Sequence, residues 1–575
     1  MNTDRSSTRF QPAGLWAIVF LAVPVLFGTF LRIFDLQNQI LLDDEWHSLN
    51  FVLGKPFLEI VTTHGEEANC IPQNIINWIW LHTVGWTELL LYLPSVLCGI
   101  AGLLLFPWLI TRLAGRSVAI FFTWLLAISP CVIFYTRIAR PYSMVLFFGF
   151  LSLLCLALWI REGRRRFLWT YVFCGTMAIY FHLYAMLPIW GALVALLLLA
   201  WKGKRLPQTP WITPRPLAVA GIIILIALLG LLGPAHWSNP WWLRALGQRS
   251  FTYTGLWNFF SLLAGSRFIL ARVLFIGAVF YGLNRWMRKD FQTALVFLSS
   301  WVAFFLLIVV STQDNMHAAI QIARYNIVLF PVAMLLAAVG LEQVLERLPS
   351  VFPEFARPAL GVLLIAVLLI GSPLWRTYAR PNNFMHHSAF QDSYAPMDWS
   401  KSRVRLLSPM PQMDKDRIPR LYFDAALLND VAGIIEYPMF VGDPVNFYYF
   451  YQHYHRKPVT AGYYTNLRFE EPPFKTELVH QLMAVDYVMG RASKPEAERM
   501  RFRNVVSLSE PAELSRTHRN WLIVVHKDLF RETMDIGLWT PEGAYLPSLA
   551  VRNHLLRHLG NAIFSDDQVM AWKVP

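Results

Sequence analysis

Apolar and polar positions alternate on a coarse scale through the first two thirds of the chain. Long apolar runs fall near 14–34, 88–110, 117–135, 142–160, 167–185, 187–201, 216–234, 268–284, 291–311, 325–343 and 358–375. A bilayer-spanning helix takes roughly 20 such residues, so the pattern predicts about eleven membrane helices. Pro188 interrupts 167–201, which also reads as one broken hairpin. The first run is too long for a secretory signal and no small-residue cleavage site follows it, so a retained helix is expected. After Trp375 the pattern changes. A turn-rich polar stretch opens at Pro381-Asn382-Asn383, and short β-like runs follow at 403–407, 431–437, 485–489, 521–526 and 568–573. Helical patterns at 443–455 and 474–484 separate some of them, which predicts a small α/β domain. The expected fold is thus a polytopic α-helical membrane domain over 1–375 and a soluble α/β domain over 376–575.

Composition agrees. Of the 575 residues, 55% are hydrophobic and only 15% charged, against roughly 25% in soluble domains; mean hydropathy is +0.41. The five cysteines all precede position 175 and show no metal-ligand spacing, so neither disulfides nor a structural zinc site is expected. The net charge of +13 raises nucleic acid as a partner, but the location of the charges argues otherwise. Dense basic clusters occupy alternate loops: Arg112 and Arg116; Arg161 and Arg164 to Arg166; Lys202, Lys204, Arg205 and Arg215; Arg285, Arg288 and Lys289; Arg347 and Arg357. That bias marks cytoplasmic loops. It places the N-terminus in the cytoplasm and the C-terminal domain on the outer side of a multi-pass plasma (inner) membrane protein. The opposite loops carry scattered cations, among them Arg137, Arg140, Arg267 and Arg324. These are candidate anion ligands or, equally, interfacial arginines that snorkel or pair.

The first outer loop, 35–87, carries the densest chemistry. Leu42-Asp43-Asp44-Glu45-Trp46 puts three carboxylates directly after a membrane helix, and His47, His64, Glu66 and Glu67 follow. Crowded like charges raise at least one carboxyl pKa unless a cation neutralises them, and a carboxylate at the membrane surface suits general base work. The plainer reading is a solvated acidic loop that caps a helix. Asp44, His64 and Glu67 are candidate ligands for a divalent metal ion, although their spacing dictates no geometry. Trp237, Trp241 and Trp242 in a later outer loop, and the aromatic run 447–454, read as sugar- or lipid-facing surfaces or as interface anchors and core.

Several segments together resemble the GT-C membrane glycosyltransferases that use polyprenyl-phosphate-linked sugars, above all the bacterial branch of protein O-mannosyltransferases and the lipid A aminoarabinose transferase. They are the acidic loop opening; Tyr92-Leu93-Pro94-Ser95; Ser129-Pro130 with Tyr135-Thr136-Arg137-Ile138-Ala139-Arg140-Pro141-Tyr142-Ser143; Tyr180-Phe181-His182-Leu183-Tyr184; and Arg324-Tyr325 before Phe330-Pro331. Pro458 to Gly462 and Val485 to Val488 look like parts of the family's soluble domain. The resemblance implies transfer of a sugar, with inversion, from a polyprenyl-phosphate donor to a glycan, lipid or protein acceptor at the outer face. It assigns Asp44 as base, with Asp43 the runner-up and Glu45 beside them, and Glu66 or Glu67 as a second acid. Arg137, Arg140 and Arg324 become phosphate ligands, and His182, Tyr184 and Tyr142 donor-binding residues. Two departures bear on substrate choice: Cys70-Ile71-Pro72-Gln73-Asn74 stands where relatives often have Pro-Pro-Leu-Tyr, and no Arg precedes Leu93-Pro94.

The competing class is a membrane transporter or lipid flippase with a similar span count. Such proteins place charges deep in their helices and show inverted repeats. Here the charges cluster at outer helix ends and no internal repeat is visible. A third reading is a structural protein that kept the fold without the activity.

Overall fold

The computed structural model describes residues 15–34, 36–39, 41, 43–64, 70–85, 87–201, 211–238, 253–266, 268–310, 319–347, 355–370, 372, 374, 418–437, 446–459, 518–526 and 555–575. Helices dominate. They are α1 (Leu15–Ile33), α2 (Asp43–Val52), α3 (Phe57–Thr62), α4 (Ile71–Thr83), α5 (Glu88–Ala114), α6 (Arg116–Ile128), α7 (Pro130–Tyr135), α8 (Tyr142–Glu162) and α9 (Arg165–Phe181). There follow α10 (Met186–Trp201), α11 (Pro214–Ser238), α12 (Tyr253–Ala264), α13 (Ile269–Lys289), α14 (Phe291–Val310), α15 (Ala319–Tyr325), α16 (Leu329–Leu345) and α17 (Ala356–Ala366).

Among the described residues, seven helical segments are long and apolar enough to cross a membrane: Trp16–Ile33, Glu88–Ala114, Tyr142–Glu162, Leu183–Trp201, Pro214–His236, Ile269–Lys289 and Phe291–Ile308. The other four predicted spans form shorter helices. The run 117–135 divides into α6 and α7 where Ser129 turns extended before Pro130, whose ring suits a helix start but not its interior. The run 167–201 breaks at His182, also extended, rather than at Pro188. Pro188 sits in the first turn of α10, where its missing N–H costs nothing.

Helix α8 is apolar on all sides and accordingly lies at the centre, with Phe150, Leu153 and Leu156 fully buried. Its C-terminus closes at Gly163, which takes a left-handed φ of 70°. Outer helices turn large apolar side chains away from the protein; Leu26 is 70% and Trp201 78% exposed. Such surfaces suit lipid rather than water. At the basic end, Arg112 forks onto Glu162, with Nη2 2.9 and 2.8 Å from its two oxygens, and ties α5 to α8. Helices α13 and α16 meet backbone to backbone: a Cβ on Gly282 would strike the Leu336 carbonyl, and one on Gly340 the Ala278 carbonyl.

The C-terminal region forms a four-stranded sheet from β1 (Gly433–Tyr437), β2 (Trp521–His526), β3 (Phe564–Ser565) and β4 (Val569–Lys573), in the order β1-β2-β4-β3. The β1–β2 pair is parallel and the others antiparallel. Helix α18 (Asn446–His455) contributes the buried Tyr448, Phe450 and Tyr451. Three expected strands and one expected helix are observed within two or three residues of their expected bounds; the runs at 403–407, 474–484 and 485–489 lie outside the described residues. Under the sheet, Tyr422 Oη donates to Glu436, whose Oε2 is 2.7 Å from His526 Nε2. His455 Nε2 is 3.7 Å from Glu436 Oε1. The sheet's core is continuous with Leu41, Trp46 and Leu49 of the first outer loop and with Leu91, Tyr92 and Val96 of α5.

Candidate active site

The acidic loop is held by its own apolar and amide residues. Asp43 and Asp44 are the first two residues of α2. The side chains of Asp43, Asp44 and His47, and residues 65–69 with Glu66 and Glu67, lie outside the described residues. Glu45 is 2% exposed and accepts a hydrogen bond from the Ala139 backbone N–H, so it latches α2 onto the turn that carries Arg140. Trp46 and Leu49 bury beside Leu91 and Tyr92. One turn along α2 from Asp44, Ser48 Oγ donates to Asn74 Oδ1 at 2.7 Å and accepts from Asn77 Nδ2 at 3.0 Å, which joins α2 to α4.

The two serines of the matching motifs fix the Arg140 turn reciprocally. Ser95 Oγ donates to the Arg140 carbonyl at 3.2 Å, and Ser143 Oγ to the Ser95 carbonyl at 2.6 Å. Arg137, three residues before Arg140, is set by the end of α1. It is fully buried, and its Nη1 donates to the carbonyls of Leu31 and Phe34 at 2.9 and 2.7 Å, while Gln39 Nε2 donates to its carbonyl at 2.8 Å. It clamps the carbonyl end of α1, a site where a cation is favoured by the dipole.

A small cleft gathers His182, Tyr184, Arg324, Tyr325 and Asn326. Arg324 lies 4.9 Å from the Tyr325 ring centre and donates to its hydroxyl at 3.0 Å. His182 packs against Tyr184 and Tyr325 at centroid distances of 5.4 and 5.6 Å, and Tyr142 backs it at 5.8 Å. Arg324 lines the cleft, and Arg140 is near enough to act electrostatically on the His182 ring. Their forked donors match phosphate oxygens.

His64 Nε2 lies 2.6 Å from His236 Nδ1, at the end of α11. Burial, with His236 alongside, lowers His64 to about 4, so it is neutral at pH 7. Its Nδ1 is buried without a hydrogen-bond partner among the described residues. Among those residues no group of three or more His, Cys, Asp and Glu is arranged to hold a metal ion. Nothing in the 172-residue separation of His64 and His236 signals the pair in the sequence. Sequence reasoning passed over Arg272, which is buried near the start of α13 and 4.6 Å from the Trp257 ring centre. The signal was an arginine at the end of a span opposite to Arg288 and Lys289.

The molecule is an α-helical membrane protein with a small C-terminal sheet and a cleft lined by Arg324, His182 and tyrosines. No protein-family model and no curated protein sequence matches it. It is similar to the crystal structure of ArnT from Cupriavidus metallidurans in the apo state, with a TM-score of 0.49, 13% identity, and coverage of 97% of this chain and 98% of that one. ArnT from the same organism bound to undecaprenyl phosphate gives 0.48 and 13% over the same shares. The archaeal oligosaccharyltransferase AglB from Archaeoglobus fulgidus, in complex with an inhibitory peptide and a dolichol-phosphate, gives 0.45 and 12% over 93% of this chain and 72% of that one.

Proposed function

We propose that the chain is a glycosyltransferase that moves a sugar from a polyprenyl-phosphate donor to a glycan, lipid or protein acceptor at the outer face of the plasma membrane. The observation that carries the reading is the gathering of His182, Tyr184 and Arg324, from distant stretches, around one cleft with Arg140 beside it. The acidic helix α2 is latched to the Arg140 turn through Glu45, so the opening of α2 and the cationic pocket belong to one assembly.

In this mechanism Arg140 and Arg324 hold the donor phosphate, and His182 and Tyr184 flank the sugar. Asp44, or Asp43 in its stead, takes the proton from the acceptor hydroxyl or amine. The acceptor atom attacks the anomeric carbon, the bond from that carbon to the phosphate oxygen breaks, and the electron pair leaves with polyprenyl phosphate. Attack opposite the leaving group inverts the centre. The arginines stabilise the charge that grows on phosphate, which is where preorganised cations act most strongly. Glu45 positions α2, and Arg137 supports the pocket from behind. Glu66 and Glu67 are the second acids of the loop. His64, with its orphaned buried nitrogen, and Asp44 and Glu67 are the loop's ligand types for a divalent ion. In this reading the basic loops face the cytoplasm and a soluble domain over 376–575 lies on the outer side; its described sheet shares a core with α2 and α5.

The test is mass spectrometry of lipid co-purified in mild detergent, wild type against Asp44→Asn. A polyprenyl-phosphate monosaccharide enriched in the variant, with transfer lost, is the expected result. Transfer at the wild-type rate would overturn the assignment of the base, and lipid of no polyprenyl-phosphate kind in either protein would overturn the reading.

A further inference from the structure

The chain's departure from the familiar Pro-Pro-Leu-Tyr run falls on the first turns of α4, and there the structure builds a directional chain of amides. Gln73 Nε2 donates to Asn77 Oδ1 at 3.0 Å, Asn77 Nδ2 to Ser48 Oγ at 3.0 Å, and Ser48 Oγ to Asn74 Oδ1 at 2.7 Å. All four residues are at most 2% exposed. Every link runs the same way, which leaves a donor at one end and an acceptor at the other. Those ends are Asn74 Nδ2 and Gln73 Oε1, both buried and both without a hydrogen-bond partner among the described residues. Buried amide groups are nearly always paired, and hydrogen bonds in series polarise one another, so two orphans at the ends of one chain call for a ligand.

The location says which one. Cys70, the residue before α4, lies within the field of Arg140 and acts on Tyr180 of α9, and the Gln73 N–H bonds to its thiol. Asn74 follows Cys70 by one turn, with its N–H on the Cys70 carbonyl at 3.0 Å, so it sits on the same side of the helix. Ser48, to which the amides bond, lies on the same helix α2 whose Glu45 accepts from the Ala139 N–H, so the amides stand beside α2 within about one helical turn of its latch to the Arg140 turn. A phosphate offers acceptors only and would leave Gln73 Oε1 unmet. A sugar hydroxyl both donates and accepts, and satisfies either end.

Building on the donor reading above, we infer that Gln73 and Asn74 form a specificity site for the hydroxyls of the transferred sugar, distinct from the arginines that hold its phosphate. Sugars that lack the matching hydroxyls leave the amides unpaired and are rejected, as in other sites built to pair a buried polar group.

The experiment reads the ratio of glycosylated to bare polyprenyl phosphate among native membrane lipids that co-purify with the full chain. Asn74→Asp keeps the acceptor for Ser48 and removes the free donor; Ser48→Ala cuts the link between helices and leaves both free ends in place. Asn74→Asp is expected to lower the ratio about tenfold, the loss of one hydrogen bond, while total polyprenyl phosphate stays near the wild-type amount. Ser48→Ala is expected to lower thermal stability with the ratio within twofold of wild type. An unchanged ratio in Asn74→Asp, or an equal fall in both variants, overturns the inference. Gln73→Met supplies the second reading should Asn74→Asp fail to fold, with the same expected fall. Wild-type protein that carries no polyprenyl phosphate at all fails the donor reading itself, a result separable from these.

Discussion

Arg324→Ala gives the sharpest test of the cleft. The guanidinium is half-buried, lies over the Tyr325 ring and donates to its hydroxyl at 3.0 Å, so the ring and hydroxyl hold its fork in place. A charge-assisted hydrogen bond is worth about 1.5–3 kcal/mol, and partial exposure places this one toward the lower part of that range. Each 1.4 kcal/mol is tenfold in affinity, so polyprenyl phosphate should bind about 10- to 100-fold more weakly. Arg140 remains, so binding weakens rather than vanishes. Arg324→Lys restores the charge without the planar fork and should recover part of the loss. Tyr325→Phe removes only the hydroxyl that accepts from Nη2 and should cost less than either. The assay is titration of polyprenyl phosphate into detergent-solubilised protein at two salt concentrations, with thermal midpoints recorded in parallel. Affinity in Arg324→Ala within twofold of wild type, at an unchanged midpoint, would refute the pocket.

Arg137→Ala should do the opposite: the carbonyls of Leu31 and Phe34 lose their donor at about 1–3 kcal/mol each, so the thermal midpoint falls while donor affinity of the folded fraction holds. Gly282→Leu drives a side chain into the Leu336 carbonyl and should destabilise the bundle by more than the ~1–3 kcal/mol of ordinary overpacking, read as lost monodispersity in detergent. His455 is lowered to about 3 by burial first and by Lys457 and His526 next, whereas in the unfolded chain it protonates near 6.5. Between those values the unfolded state holds the extra proton, so this contribution is intact above pH 6.5 and falls by about 1.4 kcal/mol per unit as pH drops toward 3. His455→Gln should flatten the dependence of the thermal midpoint between pH 6 and 4.

The membrane class and the ends of most long helices follow from composition and period alone, since a bilayer imposes length and apolarity on each span independently of its neighbours. Strands β1, β2 and β4 were legible for a similar local reason: short β-rich runs bounded by turns. The positive-inside asymmetry and the acidic opening of the first loop were equally open to inspection. What tertiary structure decided was which of several identical side chains does what. Arg137 and Arg140 are three residues apart, yet the turn brings the Arg137 side chain to the carbonyls that end α1 and gives the Arg140 carbonyl to Ser95. Glu45 belongs to a run of three acids, and only the approach of the Ala139 N–H gives it a latching contact that the run itself does not reveal. The break at His182 rather than Pro188, the His64–His236 pair and the amide chain from Gln73 to Asn74 arise from packing between elements far apart in sequence. Local pattern determines what each segment can bury; the direction of a given polar side chain depends on the partners that the folded chain brings to it.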